Sequence, residues 1–166
     1  MKALNYSIKT MTDDDKDSIL SVYNYYVENS FAAYREKKVD SDFFQQLKNM
    51  AEGYPFYVVQ IPDKRIIGFA FLHSYSEEQC FNRVAEITYF ILPSYTGKGI
   101  GKDLLGMLIN EARKMRIETL LAHISSKNQP SVNFHRQNGF QECGRFINIG
   151  KKSGEDFDVV WMQKFI

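Results

Sequence analysis

An apolar segment that runs into three glycines at alternate positions, and from there directly into an amphipathic helix, restricts this chain more than any other feature. It reads Ile91-Leu92-Pro93-Ser94-Tyr95-Thr96-Gly97-Lys98-Gly99-Ile100-Gly101-Lys102. Glycine enters backbone conformations closed to other residues, so consecutive N–H groups can converge on one anion. The helix that starts near Gly101 adds the positive end of its dipole, and Lys98 and Lys102 add formal charge. The segment is a phosphate cradle.

Two familiar phosphate loops do not match it. A nucleoside triphosphate loop needs glycine where Leu92 stands and a hydroxyl where Gly99 stands. A dinucleotide fingerprint beginning at Gly99 needs glycine or alanine in place of Leu104.

Periodicity places this loop in a mixed α/β chain. A short strand at residues 6–9 precedes Thr12-Asp13-Asp14-Asp15, a helix N-terminus, and Ile19, Leu20, Tyr23, Tyr26 and Val27 then recur at helical spacing up to Asn29. A loop over 30–40 leads to a second helix at 41–51, broken by Gly53-Tyr54-Pro55. Strands at 56–61 and 66–72 flank a turn at 62–65, and a polar excursion over 74–82 follows. The next strand alternates Ala85, Ile87, Tyr89 and Ile91 on one face with Glu86, Thr88 and Phe90 on the other, and it feeds the glycine loop. A helix at 101–115, a strand at 119–124, a short helix at 130–138 stopped by Gly139, and strands at 140–149 and 157–165 complete the chain. The expected order is β-α-α-β-β-β-α-β-α-β-β, without internal repeat or linker.

Composition narrows the class. The 166 residues, 44% apolar, suffice for one core and form a single domain over 1–166. A net charge of +1 with interleaved signs favours neither nucleic acid nor an anionic membrane. Residues 1–10 lack the apolar core of a signal peptide and the longest apolar run, 66–72, is too short to span a bilayer, so a cytoplasmic location is expected. Cys80 and Cys143 have no metal or redox spacing, so no metal site is expected, and His73 and His123 read as structural residues.

The element order and the glycine loop together resemble the GNAT N-acetyltransferase superfamily. Ala85-Glu86-Ile87-Thr88-Tyr89-Phe90-Ile91, Asn128-x-x-Ser131, His135-x-x-x-Gly139-Phe140 and Asp158-x-x-x-Met162-Gln163 narrow the likeness to its phosphinothricin acetyltransferase, or L-amino acid N-acyltransferase, branch. Two positions depart from that pattern: Thr96 replaces the usual arginine or glutamine, and Phe81-Asn82 replaces an aromatic residue followed by arginine. The resemblance implies a central, mostly antiparallel twisted sheet split at the coenzyme site and flanked by about four helices. It also implies acetyl-CoA as cosubstrate, a homodimer, and acetylation of the amine of a small amino acid such as phosphinothricin, methionine sulfone or methionine sulfoximine.

Site residues follow from the resemblance and from chemistry. An α-ammonium group is mostly protonated at pH 7, so attack on a thioester needs a base, and the resemblance assigns that role to Glu86; a solvated strand carboxylate or a salt-bridge partner is the plainer reading. His135 is the candidate proton donor to the leaving thiolate or a ligand of the pantetheine arm, with a packing role as the alternative. Main-chain groups of Tyr89, Phe90 and Ile91 suit the pantetheine amides and, near Phe90 or Ile91, the oxyanion. Gly97, Lys98, Gly99, Ile100, Gly101 and Lys102 suit the pyrophosphate, and Asn128 and Ser131 the coenzyme arm or a helix cap. Phe31, Tyr34 and Tyr75 are candidates to wall the amine pocket, with core or lid positions the plainer reading, and Arg83 either pairs a substrate carboxylate or is an exposed surface arginine. Another amine acceptor (a polyamine, an aminoglycoside or a protein N-terminus) and a non-catalytic acyl-CoA binding module are the alternatives.

Overall fold

A computed structural model describes residues 4–166, so the first three residues of the N-terminal stretch lie outside the described chain. The elements are β1 (Ser7–Thr10), α1 (Lys16–Asn29), α2 (Ser41–Met50), β2 (Phe56–Gln60), β3 (Ile66–Ser74), β4 (Val84–Ile91), α3 (Ile100–Lys114), β5 (Thr119–Ser125), α4 (Gln129–Gln137), β6 (Gln141–Lys152) and β7 (Glu155–Phe165). Their order is the one expected, and the seven strands form one sheet in the order β1-β2-β3-β4-β5-β7-β6.

Local chemistry accounts for the boundaries. Thr12 and Asp15 form a capping box over a short 3-10 turn ahead of α1, and Lys9 Nζ pairs with the buried Asp15 carboxylate at 2.8 Å. Asp40 caps α2 by accepting from the Asp42 N–H at 3.1 Å. Gly139, at φ 85°, ends α4 in the left-handed conformation, and the Phe140 N–H returns to His135 O at 3.0 Å. The last hairpin is longer than its apolar pattern suggested. Ser153 (φ 51°) and Gly154 (φ 79°) make a two-residue turn, so pairing continues through Lys151 with Asp156 and Lys152 with Glu155.

Every adjacent pair of strands is antiparallel except β4 and β5. Those two pair only at Val84 with Thr119, Ala85 with Leu120 and Glu86 with Leu121. Beyond Glu86 they separate, and the sheet is split. Each face carries its own apolar layer. Ala85, Ile87, Leu104, Leu108, Val132 and Met162 lie in the layer under α3 and α4, while Ile19, Phe43, Val58, Phe69 and Phe71 lie in the layer under α1 and α2. Phe90 packs with the second layer and Tyr89 with the first, so the alternation read along β4 holds.

Candidate active site

The split in the sheet exposes backbone on one side of β4. Leu92 N–H donates to Ile67 O at 2.8 Å, one step beyond the regular pairing of Gly68 with Ile91. Because main-chain direction alternates in an antiparallel ladder, Phe90 turns its N–H and C=O toward β3, and Tyr89 and Ile91 turn theirs toward the gap. Tyr26 donates its hydroxyl to Ile91 O, which ties α1 to the end of β4.

Below the gap the glycine loop enters α3. Gly97 (φ 71°) and Gly99 (φ 91°) are left-handed, which restricts both positions to glycine or a strained substitute. Gly101 serves otherwise: a Cβ there would lie 3.2 Å from the Phe134 ring, so its small size lets α3 and α4 approach. Lys102 and Asp103 N–H groups close on Gly99 O, whereas the N–H groups of residues 97–101 donate to no acceptor among the described residues. Lys98 extends over the Tyr95 ring at 5.4 Å. Free donors, a helix N-terminus and two lysines fit a pyrophosphate.

On the α1 and α2 side of the split, strand register builds a row of side chains. His73 of β3 stands opposite Glu86 of β4, and His123 of β5 stands opposite Trp161 of β7. Glu86 and His123 join the two halves of the row, with His123 Nδ1 donating to Glu86 Oε2 at 2.9 Å. Burial holds the His73 imidazole below its ordinary value in spite of the Glu86 carboxylate, so that ring is neutral at pH 7.

An aromatic wall rises beside the row. Tyr34 lies 5.7 Å from the His123 ring and stacks on Phe157 at 5.5 Å, and Trp161 packs against His123 at 5.2 Å. Burial pushes the Tyr34 hydroxyl up to about 12, so it stays protonated. Phe31 meets Phe157 edge-on at 5.8 Å, and Tyr75 meets Trp161 edge-on at 6.5 Å. Lys127 lies over the Phe31 ring at 4.9 Å while pairing with Glu155. Gly150 makes room for Phe157, since a Cβ there would fall 2.2 Å from the ring. The loop carrying Phe31 and Tyr34 is tied down by the buried Lys152 ammonium, which donates to Ser30 O at 2.6 Å and Ala33 O at 2.7 Å. Ser153 N–H adds a bond to Glu36 at 2.9 Å.

The structure therefore brings Phe31, Tyr34 and Tyr75 toward Glu86, together with His73, His123 and Trp161, which sequence reasoning did not place there. Their only sequence signal was a polar or aromatic residue on the Glu86 face of three other strands. Arg83 is elsewhere, ion-paired with Glu118 at 3.2 Å on the surface, both side chains being mostly exposed. Asn128 Oδ1 caps α4 by accepting from Ser131 N–H at 3.4 Å.

His135 is 3% exposed, and both of its ring nitrogens are occupied. The Ser131 carbonyl, 2.7 Å from Nδ1, can only accept, so Nδ1 carries the proton and Nε2 accepts from Tyr89 OH at 2.5 Å. Burial pushes the imidazole down to about 4 and raises the Tyr89 hydroxyl well above its ordinary value. Neither nitrogen of His135 holds a free proton for a thiolate.

A split sheet, a glycine cradle at the N-terminus of α3 and a carboxylate beside the split define a coenzyme-dependent acyltransferase. A family model described as an acetyltransferase (GNAT) domain matches residues 8–161, and the chain belongs to that family. It is 30% identical over 162 residues to the L-methionine sulfoximine/L-methionine sulfone acetyltransferase of Pseudomonas paraeruginosa, covering 96% of this chain and 94% of that protein. With the L-amino acid N-acyltransferase of Escherichia coli it shares 29% identity, covering 95% and 92% of the two chains. Among solved structures, a phosphinothricin acetyltransferase from Sinorhizobium meliloti in complex with AcCoA superposes with a TM-score of 0.90 at 25% identity, over 97% of this chain and 88% of that one. A ribosomal-protein-alanine N-acetyltransferase from Brucella melitensis gives 0.87 at 33% identity, over 96% and 99%.

Proposed function

We propose that this protein moves the acetyl group of acetyl-CoA onto the primary amine of a small amino acid or analogue of the phosphinothricin, methionine sulfone or methionine sulfoximine type. The observation that carries the reading is the position of Glu86. It belongs to the last residue pair before β4 and β5 part, and its carboxylate bonds the His123 ring that Tyr34 and Trp161 flank, while the coenzyme cradle lies at the far end of the same strand. The names borne by the methionine sulfone, amino acid and phosphinothricin relatives support the substrate class.

In this reading the pyrophosphate binds the N–H groups of residues 97–101 with Lys98 and Lys102, and the pantetheine arm extends along Tyr89 and Ile91. Glu86 is the base of the site, allowing the neutral amine to attack the thioester carbonyl. The Ile91 N–H is the donor for the oxyanion. The thiolate leaves with a proton from the attacking nitrogen, because His135 has none to give. The Tyr89 and His135 pair then acts as a rigid wall behind the arm. The reading also implies a cytoplasmic location, where acetyl-CoA is available, and a homodimer, for which the edge strand β6 offers the exposed side chains of Phe146, Ile147 and Ile149.

A second acceptor class is raised by the Brucella structure, described as acting on a ribosomal-protein alanine. A thiol-release screen with acetyl-CoA decides between the two. Methionine sulfone, methionine sulfoximine and phosphinothricin are expected to release coenzyme A faster than alanine-terminated peptides, polyamines or aminoglycosides. Preference for the peptides would overturn the amino-acid reading, and no release with any amine would overturn the enzymatic one.

A further inference from the structure

We infer that His123, rather than Glu86 alone, receives the proton of the substrate ammonium, with Glu86 holding and charging it from behind. The inference rests on the acetyl-transfer reading above and deepens it. Glu86 is the inner member of the pair: its side chain is 11% exposed, against 37% for His123. An ionised carboxylate only accepts hydrogen bonds, so the 2.9 Å contact between Glu86 Oε2 and His123 Nδ1 puts the imidazole proton on Nδ1. Nε2 is left with its lone pair and bonds to no other described residue. It lies in a ring flanked by Tyr34 and Trp161, the aromatic side chains that the acetyl-transfer reading places around the amine.

The charges around this ring agree with the assignment. Among the described residues, Glu86 from β4 is the single charged side chain bonded to it. His73 from β3 is neutral, and Trp161 from β7 and Tyr34 from the loop after α1 are uncharged. A proton taken up at His123 therefore sits beside the Glu86 carboxylate, and the described side chains that pack on its ring carry no positive charge. The relation follows the logic of a buried acid that fixes a histidine tautomer and stabilises its protonated form.

The balance of the step is simple. An N–H bond of the ammonium breaks and an N–H bond forms at His123 Nε2, giving neutral amine and imidazolium. The amine nitrogen bonds to the acetyl carbon, the C–S bond breaks, and the second nitrogen proton goes to the thiolate. The imidazolium then returns its proton to water, so each turnover yields amide, free thiol and one proton.

His123→Asn and His123→Ala separate this role from a merely supporting one. The asparagine amide can still donate to Glu86 but cannot act as a base. Both variants are expected to lower kcat/KM for methionine sulfone by about 100-fold or more at pH 7, with the KM for acetyl-CoA unchanged. Both should also lose the imidazole limb of the pH profile, whereas Glu86→Gln, which keeps the imidazole, should keep that limb. If His123→Asn works within about threefold of the wild type, or if the limb survives in both His123 variants, the inference is overturned. In that case a slow Glu86→Gln enzyme leaves the acetyl-transfer reading intact, whereas a wild-type enzyme that acetylates no amine overturns both. A folding defect is checked by coenzyme binding, and ring nitrogen NMR supplies a readout independent of turnover: neutral His123 should be protonated at Nδ1 in the wild type, and an Nε2-protonated ring there would contradict the assignment.

Discussion

Tyr89 donates its hydroxyl to Nε2 of His135 across 2.5 Å, joining β4 to α4 beside the split in the sheet. The bond exists because Nδ1 of the same ring is committed to the Ser131 carbonyl. It turns a histidine in a catalytic neighbourhood into a buried neutral strut.

This strut makes stability depend on pH. The folded value of about 4 lies below the ordinary 6.5, so between those limits the unfolded chain binds more protons at this position. The contribution is full above pH 6.5 and is lost as pH falls toward 4, by at most on the order of 3 kcal/mol. Urea unfolding of wild type and His135→Gln should diverge in slope across that window, with the variant flatter. Turnover of the variant at saturating acetyl-CoA should stay close to native. A loss that deepens with poorer leaving thiols would instead make His135 the proton donor.

The glycines of the cradle differ in what they contribute, and substitution should separate them. A Cβ at Gly99 would meet nothing within 4 Å, so Gly99→Ala costs backbone strain of roughly 1–2 kcal/mol and leaves the fold. Calorimetry should show acetyl-CoA affinity reduced at least tenfold as the N–H groups lose alignment. Gly101→Ala should act through the Phe134 ring and lower thermal stability more than affinity. Unchanged affinity in a folded Gly99→Ala protein would take the loop out of the coenzyme site.

Lys152 governs the pocket at a distance. Lys152→Met leaves the carbonyls of Ser30 and Ala33 without their ammonium, at a cost of about 1–3 kcal/mol, and releases the loop that carries Phe31 and Tyr34. The KM for the amine should rise, the KM for acetyl-CoA should not, and amide exchange should quicken across residues 30–40. Equal changes in both constants would mean that the lysine supports the whole fold instead.

Much of the fold was legible because each element carries its own local signal. Helical spacing in α1 and α3, the glycine stops and the alternation along β4 depend on residues close in sequence. The end of β6 was not, since Lys151, Lys152, Glu155 and Asp156 have no apolar period and pair only because Ser153-Gly154 turns the chain. The site divided along the same line. Glu86 and the cradle lie in one continuous segment, whereas His73, His123 and Trp161 reach Glu86 through lateral register across β3, β4, β5 and β7. No local pattern encodes that register. Arg83 shows the converse: one residue before β4, it meets Glu118 across the sheet and turns away from the pocket.

Turnover of Glu86→Gln with acetyl-CoA and methionine sulfone at pH 7, measured beside coenzyme affinity, tests the account most directly. The carboxylate is expected to matter only to the proton, so affinity should hold while turnover falls about 100-fold or more and recovers in part at higher pH, where more amine is already neutral. Near-native turnover at pH 7 in a folded variant that still binds acetyl-CoA would contradict it.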